Sequence, residues 1–291
     1  MIGPEELQAL DLLIWQRTGQ QAAALCHCNQ STISRRVAHV LKVFDLRLQR
    51  VGREWQLSRF HQLLAMERLV HQHYRLAGHG PLRLEVGYIA APLLATPPPP
   101  GWAIGPGDRM GRFLPLAMLE QGVIDAWITS SPIDLPSEEA MGCVVVPLNW
   151  APVWLMASAD HPLNGNRGIR RSDLDRFPSL ALPEGWYPHM ESVLRGQGLW
   201  TDPVRMARYD RASWDGRTAD GVTLTYATPL MASLNPALHR LEWDLGFRNG
   251  EALVVRRDLA EHPAIAMLLE ELRRRVQQLV PRHPELEAVA G

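Results

Sequence analysis

The stretch from Thr18 to Phe44 is TGQQAAALCHCNQSTISRRVAHVLKVF. Ile33, Val37, Val40, Leu41 and Phe44 recur at i, i+4, i+7, i+8 and i+11, a spacing that predicts an α-helix with one apolar side to bury. Asn29 is a good N-cap for it, because its side-chain oxygen can accept from a backbone N–H that the first turn leaves without a partner. Ala22, Ala23 and Leu25 mark a shorter helix just before, with small residues that let the two approach closely. Gln30, Ser31, Ser34 and Arg35 fall on other sides of the first turns of the longer helix, where they can hydrogen-bond base edges and phosphates. The pair predicts a helix-turn-helix that presents Gln30, Ser31 and Arg35 to bases and Thr32, Ser34 and Arg36 to phosphates.

Outward from that stretch the pattern continues. Leu7, Leu10, Leu13 and Ile14 predict an amphipathic helix over about 5–17. After Phe44, Leu46–Leu57 carries Gly52 between Arg50 and Arg53 and then the alternating Trp55 and Leu57, which predicts a two-stranded wing with Arg50 and Arg53 placed to touch the sugar-phosphate backbone or minor groove. The net charge of the 291 residues is only −1, so any pull toward nucleic acid must be local. Between Gln30 and Arg59 seven basic side chains meet two acidic ones. Ser58–Ala77 then lacks proline and glycine. In it Leu63, Val70 and Ala77 are spaced by seven, as are Leu69 and Leu76, with Met66 between them. Such a repeat predicts a long helix that pairs with a second copy, the alternative being packing within its own domain. Gly78-His79-Gly80-Pro81 ends it as a hinge.

From Leu82 strands and helices alternate. Leu82, Leu84 and Val86 alternate with Arg83 and Glu85 as a half-buried strand, Phe113–Leu119 is helical in pattern, and Val123–Thr129, Val144–Val146, Val153–Ala157, Ser179–Leu182 and Val222–Tyr226 have strand character. A helix is expected over Pro188–Arg195 and another from Pro263, with Ile265, Leu268, Leu269, Leu272, Val276 and Leu279 on one face. The alternation implies an α/β arrangement with largely parallel sheets.

At this point the whole chain resembles the LysR-type transcriptional regulators. The similarity is carried by Ala22-Ala23-Ala24-Leu25 leading into Asn29-Gln30-Ser31-Thr32-Ile33-Ser34-Arg35-Arg36, by the wing Leu48-Gln49-Arg50-Val51-Gly52-Arg53, by Gly122-Val123-Ile124-Asp125-Ala126-Trp127-Ile128, and by His161-Pro162-Leu163 and Asp173-Leu174. Leu48 stands where the family usually has phenylalanine. The resemblance implies an N-terminal all-α winged helix-turn-helix plus a linker helix that dimerises, then an α/β two-lobed effector domain resembling type 2 periplasmic binding proteins. The corresponding divisions are residues 1–58, 59–80 and 81–291, with lobe I about 81–158 and 256–291 and lobe II about 159–255. It implies double-stranded operator DNA, a small-molecule effector and a second or third and fourth copy of the chain as partners, with RNA polymerase added if the protein is an activator.

Where the family has a long helix lining the effector cleft, Tyr88-Ile89-Ala90-Ala91-Pro92 is followed by Pro97-Pro98-Pro99-Pro100, so that helix must be short or absent, which weakens the usual case for a carboxylate ligand. Gly221-Val222-Thr223 also replaces the usual closely spaced glycines. Candidate effector-binding residues are Tyr88 and Ala90, Trp150 and Trp186 near strand ends or loops, and the strand-terminal Thr129, Ser130, Thr225 and Tyr226.

Other chemistries find little support. Cys26, Cys28 and Cys143 are odd in number, and Cys26-His27-Cys28 lacks the second cluster a structural zinc needs. Gly105-Pro106-Gly107-Asp108-Arg109-Met110-Gly111 has the wrong spacing for a dinucleotide loop and is expected to be a turn. Asp160-His161 before Pro162 is expected to be a turn as well. Neither an export signal nor a membrane-spanning run is evident, so a cytoplasmic location is expected. No catalytic residue, cofactor or metal is assigned. A constitutive DNA binder, or an α/β enzyme or solute-binding protein with a fused helical head, are the alternatives.

Overall fold

The computed structural model describes residues 2–205 and 208–289, apart from the side chains of 211, 212 and 215. The head consists of α1 (Pro4–Gln16), α2 (Gly19–Leu25) and α3 (Gln30–Val43). Thr18 caps α2 by accepting from the Gln21 N–H, and Asn29 Oδ1 caps α3 by accepting from the Thr32 N–H at 2.9 Å. Ile33, Val37, Val40 and Phe44 are buried as their spacing predicts, while Leu41 is half-buried. The wing is the antiparallel pair β1 (Leu48–Val51) and β2 (Glu54–Leu57). Gly52 and Arg53 link the strands at φ 57° and 73°, the left-handed backbone that a tight two-residue hairpin turn requires.

The next helix, α4 (Gln62–Leu76), differs from its sequence reading in two ways. It starts later than Ser58, because His61 forms the N-cap and accepts from the Leu64 N–H. The apolar set spaced by seven also splits. Leu63, Met66 and Val70 are exposed, whereas Leu76 is buried. What α4 buries besides Leu64 and Leu76 is a polar row, Arg68, Gln72 and Arg75.

The chain continues through β3 (Leu82–Val86), α5 (Ala90–Leu94), β4 (Trp102–Ile104), α6 (Phe113–Glu120) and β5 (Ala126–Thr129). There follow β6 (Cys143–Pro147), β7 (Asn149–Ser158), β8 (Leu180–Ala181), β9 (Asp202–Pro203), β10 (Thr225–Ala227), β11 (Leu238–Asn249), β12 (Ala252–Arg256) and β13 (Glu287–Ala288). The chain divides into two compact units. The first holds everything through Glu85 together with Pro97–Pro106 and Leu114–Trp127, and the second holds Val86–Thr96, Gly107–Phe113 and the chain from Ile128.

The first unit therefore joins the head and α4 to an α/β edge in which β3 runs parallel to β4. Buried charge fills the junction. Asp125 accepts from Arg75, from Gln72 and from the Arg83 N–H, while Glu85 Oε2 accepts from the Trp15 indole N–H at 2.6 Å. Burial lowers the pKa of the Arg83 guanidinium to about 10, and neighbouring Arg75 adds to the effect.

In the second unit β12 pairs antiparallel with β6, and β7 lies between β10 and β11, antiparallel to both, with β13 also antiparallel to it. Among the described residues β8 and β9 run parallel. The expectation of largely parallel sheets is corrected here: β7 is antiparallel to each of β10, β11 and β13, and antiparallel neighbours need no helical crossover between them. Leu155, Leu194, Trp200, Leu224 and Leu245 centre the core of this sheet. The terminal Pro263–Leu279 helix buries Ile265, Leu268, Leu272 and Val276, and leaves Leu269 and Leu279 half-buried. Among the described residues, no helix is long and apolar enough to cross a membrane.

Candidate functional site

Two places gather the residues singled out in the sequence. The first is the start of α3. Gln30, Ser31, Ser34 and Arg35 are exposed there, and Thr32 and Arg36 are half-exposed. Asn29 organises them, since its Oδ1 accepts from the Ser31 hydroxyl at 2.6 Å and the Thr32 hydroxyl at 2.9 Å as well as from the Thr32 N–H. Arg35 donates to the Thr32 hydroxyl at 3.3 Å, a contact weak enough to be exchanged for a stronger acceptor. Ser34 returns its hydroxyl to the Gln30 carbonyl. Arg36 is paired with Glu5 of α1, so a phosphate would have to compete for it. On the wing, Arg50 lies over the Trp55 ring at 5.1 Å, and Arg53 stands exposed on the turn. Trp55 in turn donates to the Arg17 carbonyl at 2.8 Å, which fixes the wing to the head. The arrangement is an exposed helix start flanked by a rigid basic hairpin.

The second place lies in the other unit, where β3 and β5 end and where β7 starts and β11 finishes. α5 is only five residues long and its N-cap, Ile89, supplies no side-chain bond, which is the truncation that the proline run predicts. Tyr88 stacks on Tyr209 with ring centroids 3.8 Å apart, and its hydroxyl donates to Met231 Sδ. Asn249 donates from Nδ2 to the Ser130 carbonyl at 3.2 Å and to Ser131 Oγ at 3.0 Å. Ser131 Oγ donates to Asp134 Oδ2, and Asp134 Oδ1 accepts from the His189 and Met190 N–H groups at the start of the Pro188–Gly196 helix. That helix terminus, the natural seat of an anion, is thus already filled by a carboxylate of the chain itself.

Glu251 is the unexpected member. It is 1% exposed, and its Oε1 has no hydrogen-bond partner. Burial raises its pKa from 4.5 to about 7; the Asn149 amide and Ser130 hydroxyl beside it pull the other way without closing a bond of good geometry. Asn149 is itself fully buried with both side-chain polar atoms unsatisfied. Gly250 is required between these residues, because a Cβ there would lie 2.0 Å from the Asn149 carbonyl oxygen.

Of the effector candidates, Tyr88 and Ser130 belong to this cluster, and Thr129 adjoins it, its hydroxyl accepting from the Ser131 N–H at 3.2 Å. Ala90 is buried in α5. Trp186 packs on Gly111, where a Cβ would meet its ring at 2.7 Å. Trp150 is half-buried on β7, opposite Glu287 in register. Thr225 and Tyr226 are turned elsewhere: Thr225 is fully buried opposite Met156, and Tyr226 joins the core with its hydroxyl accepting from the Trp200 N–H. Sequence reasoning missed Asn149, Asn249 and Glu251. Asn249-Gly250 is a turn signal, but it says nothing of the buried acid that follows.

His161 is an ordinary turn residue. Its Nδ1 accepts from the Leu163 N–H and its Nε2 lies 3.1 Å from the Val222 carbonyl, with burial lowering its pKa. Burial, together with Cys28, raises the Cys26 thiol to about 11, which leaves it protonated and unreactive. Among the described residues no group of three or more His, Cys, Asp or Glu is placed to hold a metal.

The full-length structure of an OxyR variant from Pseudomonas aeruginosa is 20% identical to this chain, with a TM-score of 0.54, and the match covers 94% of this chain and 95% of that one. The chain has the fold of the LysR-family regulators. CbnR, described as a LysR family transcriptional regulator, matches at 17% identity and a TM-score of 0.54 over 94% of this chain and 99% of its own. ArgP from Mycobacterium tuberculosis matches at 16% identity and a TM-score of 0.52 over 94% and 97%. Neither models of protein families nor curated protein sequences gave a match. The LysR-type fold therefore spans the chain from head to terminal helix although few residues are shared.

Proposed function

We propose that the protein is a sequence-specific DNA-binding transcription regulator and not an enzyme, with its DNA affinity or activating power set by a small molecule. The observation that carries this reading is the α3 start, where Gln30, Ser31 and Arg35 are exposed on a capped helix beside the Arg50 and Arg53 wing. A LysR-type relative in fold, CbnR, has a structure with its target DNA, matching at 17% identity and a TM-score of 0.53. Residues 1–58 are the DNA-binding part, 59–80 the linker and 81–291 the effector-binding part. Gln30, Ser31 and Arg35 contact bases; Thr32, Ser34, Arg36, Arg50 and Arg53 hold phosphates.

The exposed stripe of Leu63, Met66 and Val70 on α4 supports a homodimer, or a tetramer built from two, because contiguous exposed apolar side chains on a helix call for a partner. An activator would in addition engage RNA polymerase. The effector is held around Tyr88, Ser130 and Thr129, and its differential affinity for two arrangements of the protein would shift DNA binding. A cytoplasmic location follows from operator DNA as the target.

Footprinting on the DNA upstream of the protein's own gene, with and without cell extract, tests both halves. Protection of a bipartite site with a log–log salt slope of roughly −6 for a dimer is expected. Uniform, sequence-independent protection would overturn the regulator reading. A footprint indifferent to extract would leave a constitutive binder.

A further inference from the structure

The cluster around Glu251 is more than a polar corner of the fold. Burying a carboxylate, two amides and a hydroxyl is costly unless each finds a partner, and natural proteins leave few such atoms unsatisfied. Here Glu251 Oε1, both polar atoms of Asn149, Asn249 Oδ1 and Ser130 Oγ lack one. Of the atoms left open, the three side-chain oxygens of Glu251, Asn149 and Asn249 can only accept, so the set has a surplus of acceptors. Among the described residues no arginine or histidine reaches Glu251 at ion-pair distance, and the nearby titratable group that senses its charge is Tyr88. Tyr88 carries Tyr209 stacked on its ring, with centroids 3.8 Å apart. The two places where a negatively charged ligand would ordinarily be held are closed to one, since α5 is too short and the Pro188–Gly196 helix start is filled by Asp134.

We propose that Glu251, Asn149, Asn249 and Ser130 anchor a ligand whose positively charged nitrogen, an amine, amidine or guanidine, donates hydrogen bonds to them while its body packs against the Tyr88–Tyr209 stack. This rests on the effector reading above. A cation supplies the missing donors and the missing counter-charge together, and an aromatic face beside it adds cation–π attraction. Because burial raises its pKa to about 7, the acid in the empty site is mostly protonated at pH 6, and there the cation displaces its proton to solvent, with close to one proton released per ligand bound.

Benzamidine, benzamide and benzoate form a matched planar series of cation, neutral and anion. Titrated into the full-length protein by calorimetry at pH 6 in two buffers of different ionisation enthalpy, benzamidine is expected to bind with release of a proton, benzamide weakly and without release, and benzoate least. Its affinity should fall roughly tenfold per pH unit below 7. Glu251→Gln, which keeps shape and removes charge, should weaken benzamidine roughly 10- to 100-fold. Benzoate binding as tightly as benzamidine overturns the proposal, as does benzamidine binding without proton release; the latter needs no variant. If all three probes fail while extract still alters the footprint, the ligand class is wrong and the effector reading stands. If extract also has no effect, both fall.

Discussion

Asp11 in α1 and Arg68 in α4 form an ion pair, Oδ1 to Nε at 2.8 Å, with side chains only 1% and 3% exposed. Arg68 also donates to the Gln121 side chain at 2.8 Å, and Arg83 on β3 approaches the same carboxylate at 3.7 Å. One acid of the head thus holds two guanidiniums, one from the linker helix and one from the first strand of the α/β part. A buried pair of this kind adds little over well-packed apolar residues, but removing one partner leaves a charge without compensation.

Asp11→Ala is therefore expected to destabilise the first unit by about 3–5 kcal/mol, measured by denaturant unfolding of the full chain. Replacing Asp11 and Arg68 together by leucine and methionine should recover part of that loss. Equal destabilisation by the single and double changes would show that packing, and not stranded charge, sets the cost.

On DNA, Arg35 and Arg53 should behave differently. Arg35→Ala removes a side chain expected at a base and should cost about 1–3 kcal/mol on the preferred site while relaxing its sequence preference. Arg53→Ala should weaken binding evenly across sequences and reduce the salt slope by about one. Gel-shift titrations on preferred and scrambled sites at two salt concentrations separate these outcomes. A folded Arg35→Ala protein that binds its operator like wild type would remove Arg35 from the base-reading set.

The head was largely legible because local rules govern it: Asn29 caps α3, and the spacing of Ile33, Val37 and Val40 names the buried side. α4 was legible only in part, because the row it buries is polar. Periodicity assumes that apolar side chains are buried, and α4 buries Arg68, Gln72 and Arg75 against partners far away in sequence, Asp11 and Asp125 among them. β11 was not read from the sequence. Yet Leu241, Trp243, Leu245, Phe247 and Asn249 turn inward while Arg240, Glu242, Asp244, Gly246 and Arg248 are exposed, so the two-residue alternation is present in the sequence and was passed over among the charged residues between. The Glu251 cluster depends on the ends of β5, β7, β11 and β12 meeting, which no local pattern encodes.

The exposed stripe on α4 gives an outcome independent of DNA. Val70 is 67% exposed, so Val70→Glu should change the stability of the folded monomer by no more than about 0.5 kcal/mol. It should nevertheless shift the mass measured by sedimentation toward the monomer, since a charge is placed on the surface proposed for a second copy. An unchanged oligomer would move the interface away from this helix.

Glu251 sets the last expectation, through pH. In the folded protein burial holds its pKa at about 7, against 4.5 for the free side chain. Between those values the folded state keeps a proton that the unfolded chain has lost, so stability falls as pH rises through this window and levels off above it. With 1.36 kcal/mol per pKa unit the full effect is on the order of 3 kcal/mol. Glu251→Gln carries no proton to lose, so its stability relative to wild type should increase from pH 5 to pH 8 by about that amount. Parallel pH profiles for the two proteins, measured by denaturant unfolding, would mean that Glu251 is already ionised in the fold and that a cation of the chain itself, not a ligand, satisfies it.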